Sequence, residues 1–285
     1  MRLADAHIHL FRHGYRRVGL PSLFGDSELA AYEALRQVHG VELALAIGYE
    51  AEGIDPDNNA YIRKLSETRT WLRTLAFVVP SAQPSQDLID RLFAEGHSGL
   101  AVYAIDRSQA QDLLLWPREA WQALEARRAV ISLNARPEAL SLLKPLFVAY
   151  DGVAFLISHL GLPGTIVIGT SSEAVQERLK PLLELASLTN VHVKLSGFYA
   201  TSEPPHDYPH GGAHHAVRAI TDSFGPERCL WASDFAPALE FVSFPQTIHW
   251  PGLDKYSDAE RHAIFSGNLC RLLSDFCTTA PGRAE

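Results

Sequence analysis

The sequence predicts an α/β fold, specifically a single-domain (β/α)8 TIM barrel, from two observations. Eight short segments rich in β-branched and other apolar residues alternate with eight segments that favour helix. Parallel strands need a crossover connection, which a helix supplies, and eight such units close most naturally into a barrel. The length of 285 residues fits this fold, because such a barrel takes ~250 residues.

The elements follow one another in a regular order. The predicted strands cover residues 3–9, 41–47, 72–79, 100–105, 130–134, 153–159, 191–196 and 229–234. The predicted helices cover residues 27–39, 58–67, 86–95, 118–127, 137–149, 173–185, 214–224 and 258–273. An open doubly wound sheet is the alternative, but no strand leads into a Gly-x-Gly-x-x-Gly or Gly-x-x-x-x-Gly-Lys loop, which disfavours nucleotide binding. We expect the barrel to span residues 1–277 and a disordered tail to span 278–285.

The composition excludes several classes of protein. With 47% hydrophobic and 20% charged residues, the chain can bury a large core. A net charge of −8 offers no basic surface, so neither nucleic acid nor an anionic membrane is an expected partner. No apolar run reaches the length of a membrane helix, and the three cysteines form no Cys-x-x-Cys pair. We therefore expect a cytoplasmic enzyme with a small-molecule substrate, and this architecture is compatible with a homodimer.

Polar residues gather at the ends of the predicted strands. Asp5, His7 and His9 alternate along the first strand, so we expect all three side chains to point toward the barrel axis. His159 ends the sixth strand and Asp234 ends the eighth. Barrel enzymes build their sites from the carboxyl ends of several strands. The pattern therefore predicts an active site at that face of the barrel.

The motifs around these residues resemble the amidohydrolase superfamily, in particular its amidohydrolase-related branch. The matching stretches, in family order, are residues 5–9 (Asp-Ala-His-Ile-His), 157–163 (Ile-Ser-His-Leu-Gly-Leu-Pro), 193–197 (Val-Lys-Leu-Ser-Gly), 224–234 and 267–272. The second and third look most like those of the sugar-lactone and 2-pyrone-4,6-dicarboxylate lactonases. The resemblance implies a barrel hydrolase.

One departure from the family pattern concerns the metal. Metal-dependent members usually place a histidine ligand at the end of the fifth strand, where this chain has Asn134. An amide oxygen is a poor ligand for zinc, and the lactonase group, which also lacks that histidine, is understood to work without a metal. The resemblance therefore implies that no cofactor is required. The alternative is Zn²⁺ or Mn²⁺ held by His7, His9 and Asp234.

Our leading hypothesis is the hydrolysis of a lactone or related carbonyl ester by water. Asp234 would act as general base, and His7, His9 and His159 would polarise the carbonyl group. The alternative is a metal-dependent decarboxylase or C–C hydrolase of an unsaturated or aromatic carboxylic acid on the same fold. A barrel that only binds a small molecule is the third interpretation.

Further residues are predicted to contact the substrate. They are Lys194, Tyr103, Asn134, Arg136, His206 and His210. Lys194 would orient an oxyanion or Asp234, although a structural ion pair inside the barrel explains it equally well. Prolines and glycines interrupt the connection at 197–212, which favours substrate contact by His206 or His210 over a second metal cluster. The remaining histidines, including His97, are expected to be solvated.

Overall fold

The computed structural model describes residues 2–17, 20–51, 54–250 and 252–274. The predicted tail at 278–285 lies outside the described residues. In chain order the strands are β1 (Leu3–Ile8), β2 (Val41–Ile47), β3 (Leu72–Phe77), β4 (Gly99–Tyr103), β5 (Val130–Asn134), β6 (Ala154–Ile157), β7 (Ile166–Val167), β8 (Val191–Leu195), β9 (Ser202–Glu203) and β10 (Cys229–Trp231).

Eight of these strands confirm the predicted barrel. They form one sheet in the order β1-β2-β3-β4-β5-β6-β8-β10, and each neighbouring pair in this order is parallel. All eight correspond to predicted strands, although the predicted ends run past the observed ones at several carboxyl ends.

Helices pack around the outside of the barrel. They are α1 (Glu28–His39), α2 (Asn58–Ser66), α3 (Gln86–Ala94), α4 (Arg107–Leu114), α5 (Arg118–Ala126), α6 (Pro137–Ala149), α7 (Ser172–Leu183), α8 (Phe198–Thr201), α9 (Ala213–Phe224), α10 (Phe244–Ile248), α11 (Asp258–His262) and α12 (Asn268–Ser274). A π-helical segment, Ala263–Gly267, divides the helix predicted at 258–273. Sequence analysis missed α4, which begins with a capping box between Asp106 and Gln109. Within the described ranges, no helix combines the length and the apolar character that a membrane crossing requires.

The core has two layers, separated by the barrel wall. The inner layer consists of small and branched side chains: Ala4, Ala6, Leu45, Ile47, Leu75, Ala101, Val130, Leu156, Leu230 and Ala232. The outer layer contains the alternate residues of the same strands, such as Ile131 and Leu133 of β5, in one buried cluster with helix residues such as Leu140 of α6. This division follows from the period of two along each strand.

The side chain of Asp5 does not point where the sequence predicts. The register of β1 shifts between Asp5 and Ile8, so Asp5 does not share the face of His7 and lies against α1. There the Tyr32 hydroxyl donates to Asp5 Oδ2 over 3.2 Å. Ser233, just after β10, donates both its backbone N–H (2.8 Å) and its hydroxyl (2.5 Å) to the same carboxylate. Asp5 therefore joins the first barrel strand to the last, and the predicted row of three inward side chains is wrong for this residue.

Two long connections cover the carboxyl face, and they are joined to each other. Strands β7 and β9 pair in parallel, with Ile166 opposite Ser202 and Val167 opposite Glu203. Strand β7 belongs to the connection after β6, and β9 belongs to the connection after β8. The two connections therefore form one unit above the barrel.

Candidate active site

A cavity of about 500 Å³ opens at the carboxyl ends of the barrel strands. It is lined by His9, Phe11, Tyr15, Arg16, Arg17, Tyr49, Ile54, Tyr103, Asn134, His159, Tyr199, Asp234 and Pro237. Most of these residues come from the ends of different barrel strands or from the connections that follow them. The volume suits a small molecule.

A chain of hydrogen bonds runs below the cavity from Lys194 to His9. Lys194 Nζ lies 2.6 Å from Ser132 Oγ and 3.1 Å from His7 Nδ1. The Nε2 atoms of His7 and His9 are 3.1 Å apart, and His9 Nδ1 lies 2.9 Å from the carbonyl oxygen of Ile47. Because that carbonyl can only accept, neutral His9 carries its proton on Nδ1, and its Nε2 accepts from His7. The protons of this chain therefore point from Lys194 toward His9.

Asp234 lies beside this chain, on a backbone in the left-handed region with φ at 55°. Its Oδ1 is 3.7 Å from His7 Nε2, and its Oδ2 is 3.9 Å from His159 Nδ1. The hydroxyl of Tyr199 donates a hydrogen bond to Oδ2 over 2.7 Å. The carboxylate is buried, yet it reaches the cavity.

His159 completes the group of histidines. Its Nδ1 lies 3.1 Å from Ser196 Oγ, and the centre of its ring is 4.8 Å from that of His7. Gly197 approaches this ring so closely that a Cβ atom at position 197 would lie 2.6 Å from His159 Nδ1. The glycine at the end of the Lys-Leu-Ser-Gly stretch therefore makes room for His159.

Burial dominates the electrostatics of the site. It lowers the pKa of His9 to about 4 and the pKa of His159 to about 3, and the Lys194 ammonium adds to the second effect. Burial also lowers the pKa of His7 well below its usual value, so all three imidazoles are neutral near pH 7. It raises the pKa of Asp234 to about 6 and lowers the pKa of Lys194 to about 7. A carboxyl group that titrates near neutrality thus lies among neutral imidazoles.

His7, His9 and Asp234 also form a group that could hold a metal ion. One potential ligand atom from each lies within 4.8 Å of the others. Many catalytic zinc sites have three protein ligands of these types.

The structure brings together most of the residues predicted for the site. His7, His9, His159, Lys194 and Asp234 lie in contact or nearly so, as described above. Tyr103 and Asn134 line the cavity wall, where they face each other across the β4–β5 pair.

Three other predicted residues lie apart from this cavity. Arg136 is exposed, because Pro137 begins α6 directly and the Arg136 N–H donates to the carbonyl of Ile105 over 3.2 Å. His206 is exposed as well, whereas His210 is buried and lines a separate cavity of about 20 Å³ beside α8. Arg136, His206 and His210 are not among the described residues that line the larger cavity.

Sequence analysis missed the residues that the connections contribute. Tyr15, Arg16 and Arg17 come from the connection after β1, Tyr49 follows β2, and Tyr199 lies on α8. Irregular segments carry no periodic signal, so their contacts cannot be read from spacing. Tyr199 alone had a signal, since it stands two positions after the glycine that ends Lys-Leu-Ser-Gly.

The chain matches the model of one family and is similar to curated lactonases and to solved amidohydrolase structures. The model of the amidohydrolase family matches residues 4–274. An L-fucono-1,5-lactonase of Burkholderia ambifaria is 30% identical over 127 residues, which are 42% of this chain and 41% of that protein. The chain thus matches only about two fifths of that lactonase's length.

Solved structures show the same fold. An amidohydrolase from Burkholderia multivorans, crystallised with bound zinc, superposes with a TM-score of 0.75 at 20% identity, over 96% of this chain and 99% of that one. A probable 2-pyrone-4,6-dicarboxylic acid hydrolase from Acinetobacter baumannii, with citric acid bound, superposes with a TM-score of 0.73 at 17% identity, over 96% and 100% of the two chains.

The family match includes every barrel strand, from β1 to β10, and therefore all the strand ends that carry the site. It confirms the resemblance seen in the short motifs. The chain belongs to the amidohydrolase family.

Proposed function

We propose that the protein is a lactonase, which opens a lactone or related carbonyl ester with water and uses Asp234 as general base. The observation that carries this proposal is a carboxyl group with a pKa raised to about 6, at a cavity beside three neutral histidines. Such a group is mostly ionised near pH 7 and is still basic enough to accept a proton in the transition state. Membership of the amidohydrolase family and the lactonase among the relatives support the same class of reaction.

In the proposed reaction, Asp234 Oδ1 accepts a proton from water while the water oxygen bonds to the carbonyl carbon of the lactone. Negative charge develops on the carbonyl oxygen. The ring C–O bond then breaks, the proton on Asp234 passes to the departing alkoxide oxygen, and the product is an open-chain hydroxy acid. The carboxylate of Asp234 is thereby restored.

Two groups of residues stabilise the developing charge. In this proposal the Ser196 hydroxyl, 3.1 Å from His159 Nδ1, donates to that nitrogen, so that the proton of the neutral imidazole is on Nε2 as a donor for the carbonyl oxygen. Lys194 contributes as a positive charge below the cavity when it is an ammonium, and its hydrogen bond to His7 Nδ1 holds the chain of His7 and His9 in place. Fixed donors and charges of this kind are effective because they need no reorganisation during the reaction.

The hydrogen bonds assigned to His7 support a site without a zinc ion. A histidine nitrogen that binds a metal must be free of its proton. Lys194 donates to Nδ1 and so keeps the proton of neutral His7 on Nε2, the atom closest to His9 and Asp234. Asn134, on the cavity wall, offers an amide oxygen where zinc prefers an imidazole. We therefore propose that no cofactor is required.

We propose a sugar lactone as the substrate class. The residues that line the cavity include Tyr15, Tyr49 and Tyr103 together with Arg16 and Arg17. Such a lining can exchange hydrogen bonds with a polyhydroxylated ring. The relative that acts on L-fucono-1,5-lactone makes aldono-1,5-lactones the first compounds to test.

The test is a hydrolysis screen of aldono-1,5-lactones and aldono-1,4-lactones, followed by acid release, with and without EDTA. We expect at least one lactone to be hydrolysed and EDTA to leave the rate within about twofold. Asp234→Asn should lower kcat by ~10²- to 10⁴-fold because the base is lost. His159→Ala should lower it by ~10²-fold because one donor to the oxyanion is lost.

Asp222→Asn serves as the control, because Asp222 is an exposed carboxylate paired with Arg218 on α9, and it should leave kcat unchanged. Near-normal turnover in both Asp234→Asn and His159→Ala would exclude this mechanism. Activity that EDTA removes and Zn²⁺ or Mn²⁺ restores would favour a metal-dependent enzyme instead.

A further inference from the structure

Asp234 is the central residue of the proposed reaction, and its carboxylate has one hydrogen-bonded neighbour among the described residues. The backbone of Asp234 is fixed, since its N–H donates to the carbonyl of His7 over 3.0 Å and its carbonyl accepts from Ala238 over 2.9 Å. Within the described ranges, the carboxylate itself accepts a hydrogen bond only from Tyr199, over 2.7 Å at Oδ2. The histidines lie at 3.7 Å and 3.9 Å, beyond hydrogen-bond distance.

When a hydrogen bond holds one oxygen of a carboxylate, the other oxygen is the one available to act as a base. With Oδ2 occupied by the Tyr199 hydroxyl, Oδ1 is the oxygen free to accept a proton from water, and it lies nearer to His7 Nε2. Without the tyrosine hydroxyl, the carboxylate can rotate about its Cβ–Cγ bond, a torsion with broad energy minima. The position of the basic oxygen therefore depends on Tyr199.

Tyr199 is itself held by aromatic contacts on a short helix. Its ring stacks on Phe241, with centroids 4.8 Å apart and planes 14° from parallel. Arg17, from the connection after β1, lies over the Phe241 ring at 5.4 Å and pairs with Glu240 at 3.4 Å. Two separate connections thus meet on the aromatic ring that supports Tyr199.

The later, histidine-rich part of the same connection (residues 206–212) also contacts this helix, through His210. Phe198, next to Tyr199 on α8, lies 6.4 Å from the His210 ring and 5.8 Å from the Trp250 ring, centre to centre. His210 is buried against this helix and does not line the larger cavity. The histidine-rich part of the connection therefore packs against α8 through His210, and His210 does not contact the larger cavity.

We propose that Tyr199 is a positioning residue, which holds Asp234 so that Oδ1 faces the attacking water, and that the contacts around α8 keep Tyr199 in place. This inference rests on the proposed function, since it assigns the basic oxygen of the proposed base. It also gives the histidine-rich connection a structural role in catalysis, through α8 and not through a metal or the substrate.

The test compares Tyr199→Phe with Tyr256→Phe. The first variant keeps the stacked ring and removes only the hydroxyl that donates to Asp234. The second removes a tyrosine hydroxyl with a hydrogen bond of similar length, 2.8 Å to Thr221 Oγ1, away from the cavity. With L-fucono-1,5-lactone, Tyr199→Phe should lower kcat about 10- to 100-fold with KM within about twofold, because the base is misplaced while substrate contacts remain. Tyr256→Phe should leave both constants unchanged.

A crystal structure of Tyr199→Phe gives a second measurement that needs no substrate. We expect the Asp234 carboxylate to be rotated or to occupy two orientations in this variant, and one orientation in the unchanged protein. Phe241→Leu, which removes the stacking partner, should also lower kcat several-fold.

The possible results separate the two proposals. A single unchanged orientation of Asp234 in Tyr199→Phe, or a change confined to KM, overturns the positioning role while the lactonase proposal stands. If Asp234→Asn keeps full activity, the proposed function fails, and the crystal structure still decides whether Tyr199 orients the carboxylate.

Discussion

Gly197 shows how a single residue limits the position of a neighbouring side chain, that of His159. It has a left-handed backbone with φ at +66°, and an added Cβ would lie 2.6 Å from Nδ1 and 2.7 Å from Cβ of His159. These distances are shorter than van der Waals contact, so a side chain at this position must displace the histidine ring. Position 197 therefore needs glycine for two reasons: the left-handed backbone and the close approach of the His159 ring.

We therefore expect Gly197→Ala to lower kcat by ~10²-fold, as the loss of an oxyanion donor does, through displacement of His159. Gly164→Ala is the matched control, because Gly164 has a similar φ of +77° and no atom within 4 Å of the added Cβ. Both variants carry the backbone cost, about 1–3 kcal/mol, which chemical denaturation measures. Equal kcat values for the two variants would show that the contact with His159 does not matter.

The sequence predicted the site residues at strand ends better than those in the connections, for a physical reason. His159 and Asp234 stand at the ends of apolar runs, so the strand pattern itself predicted their position at the carboxyl face. Tyr199 and Arg17 reach the cavity from irregular connections, where the direction of a side chain depends on tertiary contacts such as those of Phe241. No spacing in the sequence records such contacts.

At the scale of elements, the barrel strands were predictable because they are buried on both faces. A continuous apolar run such as residues 43–47 (Leu-Ala-Leu-Ala-Ile) is typical of a strand that is covered on both faces. The strand ends were predicted less well, since their polar residues lie at the candidate site, where the apolar pattern of the sheet stops. Strand β1 is the clearest case, because its register shifts between Asp5 and Ile8 and because Asp5 is bonded by Ser233 and Tyr32, which lie far away in the sequence.

The contact between Asp5 and Ser233 joins the first and last strands, so it should contribute to stability. The Ser233 hydroxyl donates to Asp5 and accepts from the N–H of Phe235 over 3.1 Å. Ser233→Ala leaves both buried partners short of a hydrogen bond, and we expect it to lower the free energy of unfolding by about 1–3 kcal/mol. Urea denaturation measures this.

Ser141→Ala is the control for this prediction. Its hydroxyl donates to the carbonyl of Pro137 on the exposed side of α6, and surface substitutions of this kind change stability by about 0.5 kcal/mol or less. A loss in Ser233→Ala that does not exceed the loss in Ser141→Ala would mean that the Asp5–Ser233 contact does not hold the barrel closed.

At the scale of the whole molecule, buried histidines link stability to pH. His97 was expected to be solvated, but it is buried, and its Nδ1 lies 2.9 Å from Thr74 Oγ1. Burial lowers the pKa of His97 to about 4, and it does the same for His192 on β8. The unfolded chain takes up these protons near the ordinary histidine pKa of about 6.5, before the folded protein does. The stability that a neutral buried histidine contributes is therefore present above pH 6.5 and is lost as the pH falls toward 4.

His97→Gln tests this linkage, because glutamine does not titrate in this range. The free energy of unfolding of the unchanged protein, minus that of the variant, should fall by about 2 kcal/mol between pH 7 and pH 5. Urea denaturation at several pH values measures the difference. A difference that stays constant over this range would show that His97 takes up its proton equally well in both states.

The pairing of β7 with β9 has a consequence for laboratory evolution of this enzyme. Each strand lies in one of the two long connections above the cavity, and their backbones share hydrogen bonds at Ile166–Ser202 and Val167–Glu203. An insertion, or a loop grafted from a relative, in one connection leaves unpaired backbone groups in the other. Variant libraries that aim to change the substrate should therefore exchange both connections together, from the same parent protein.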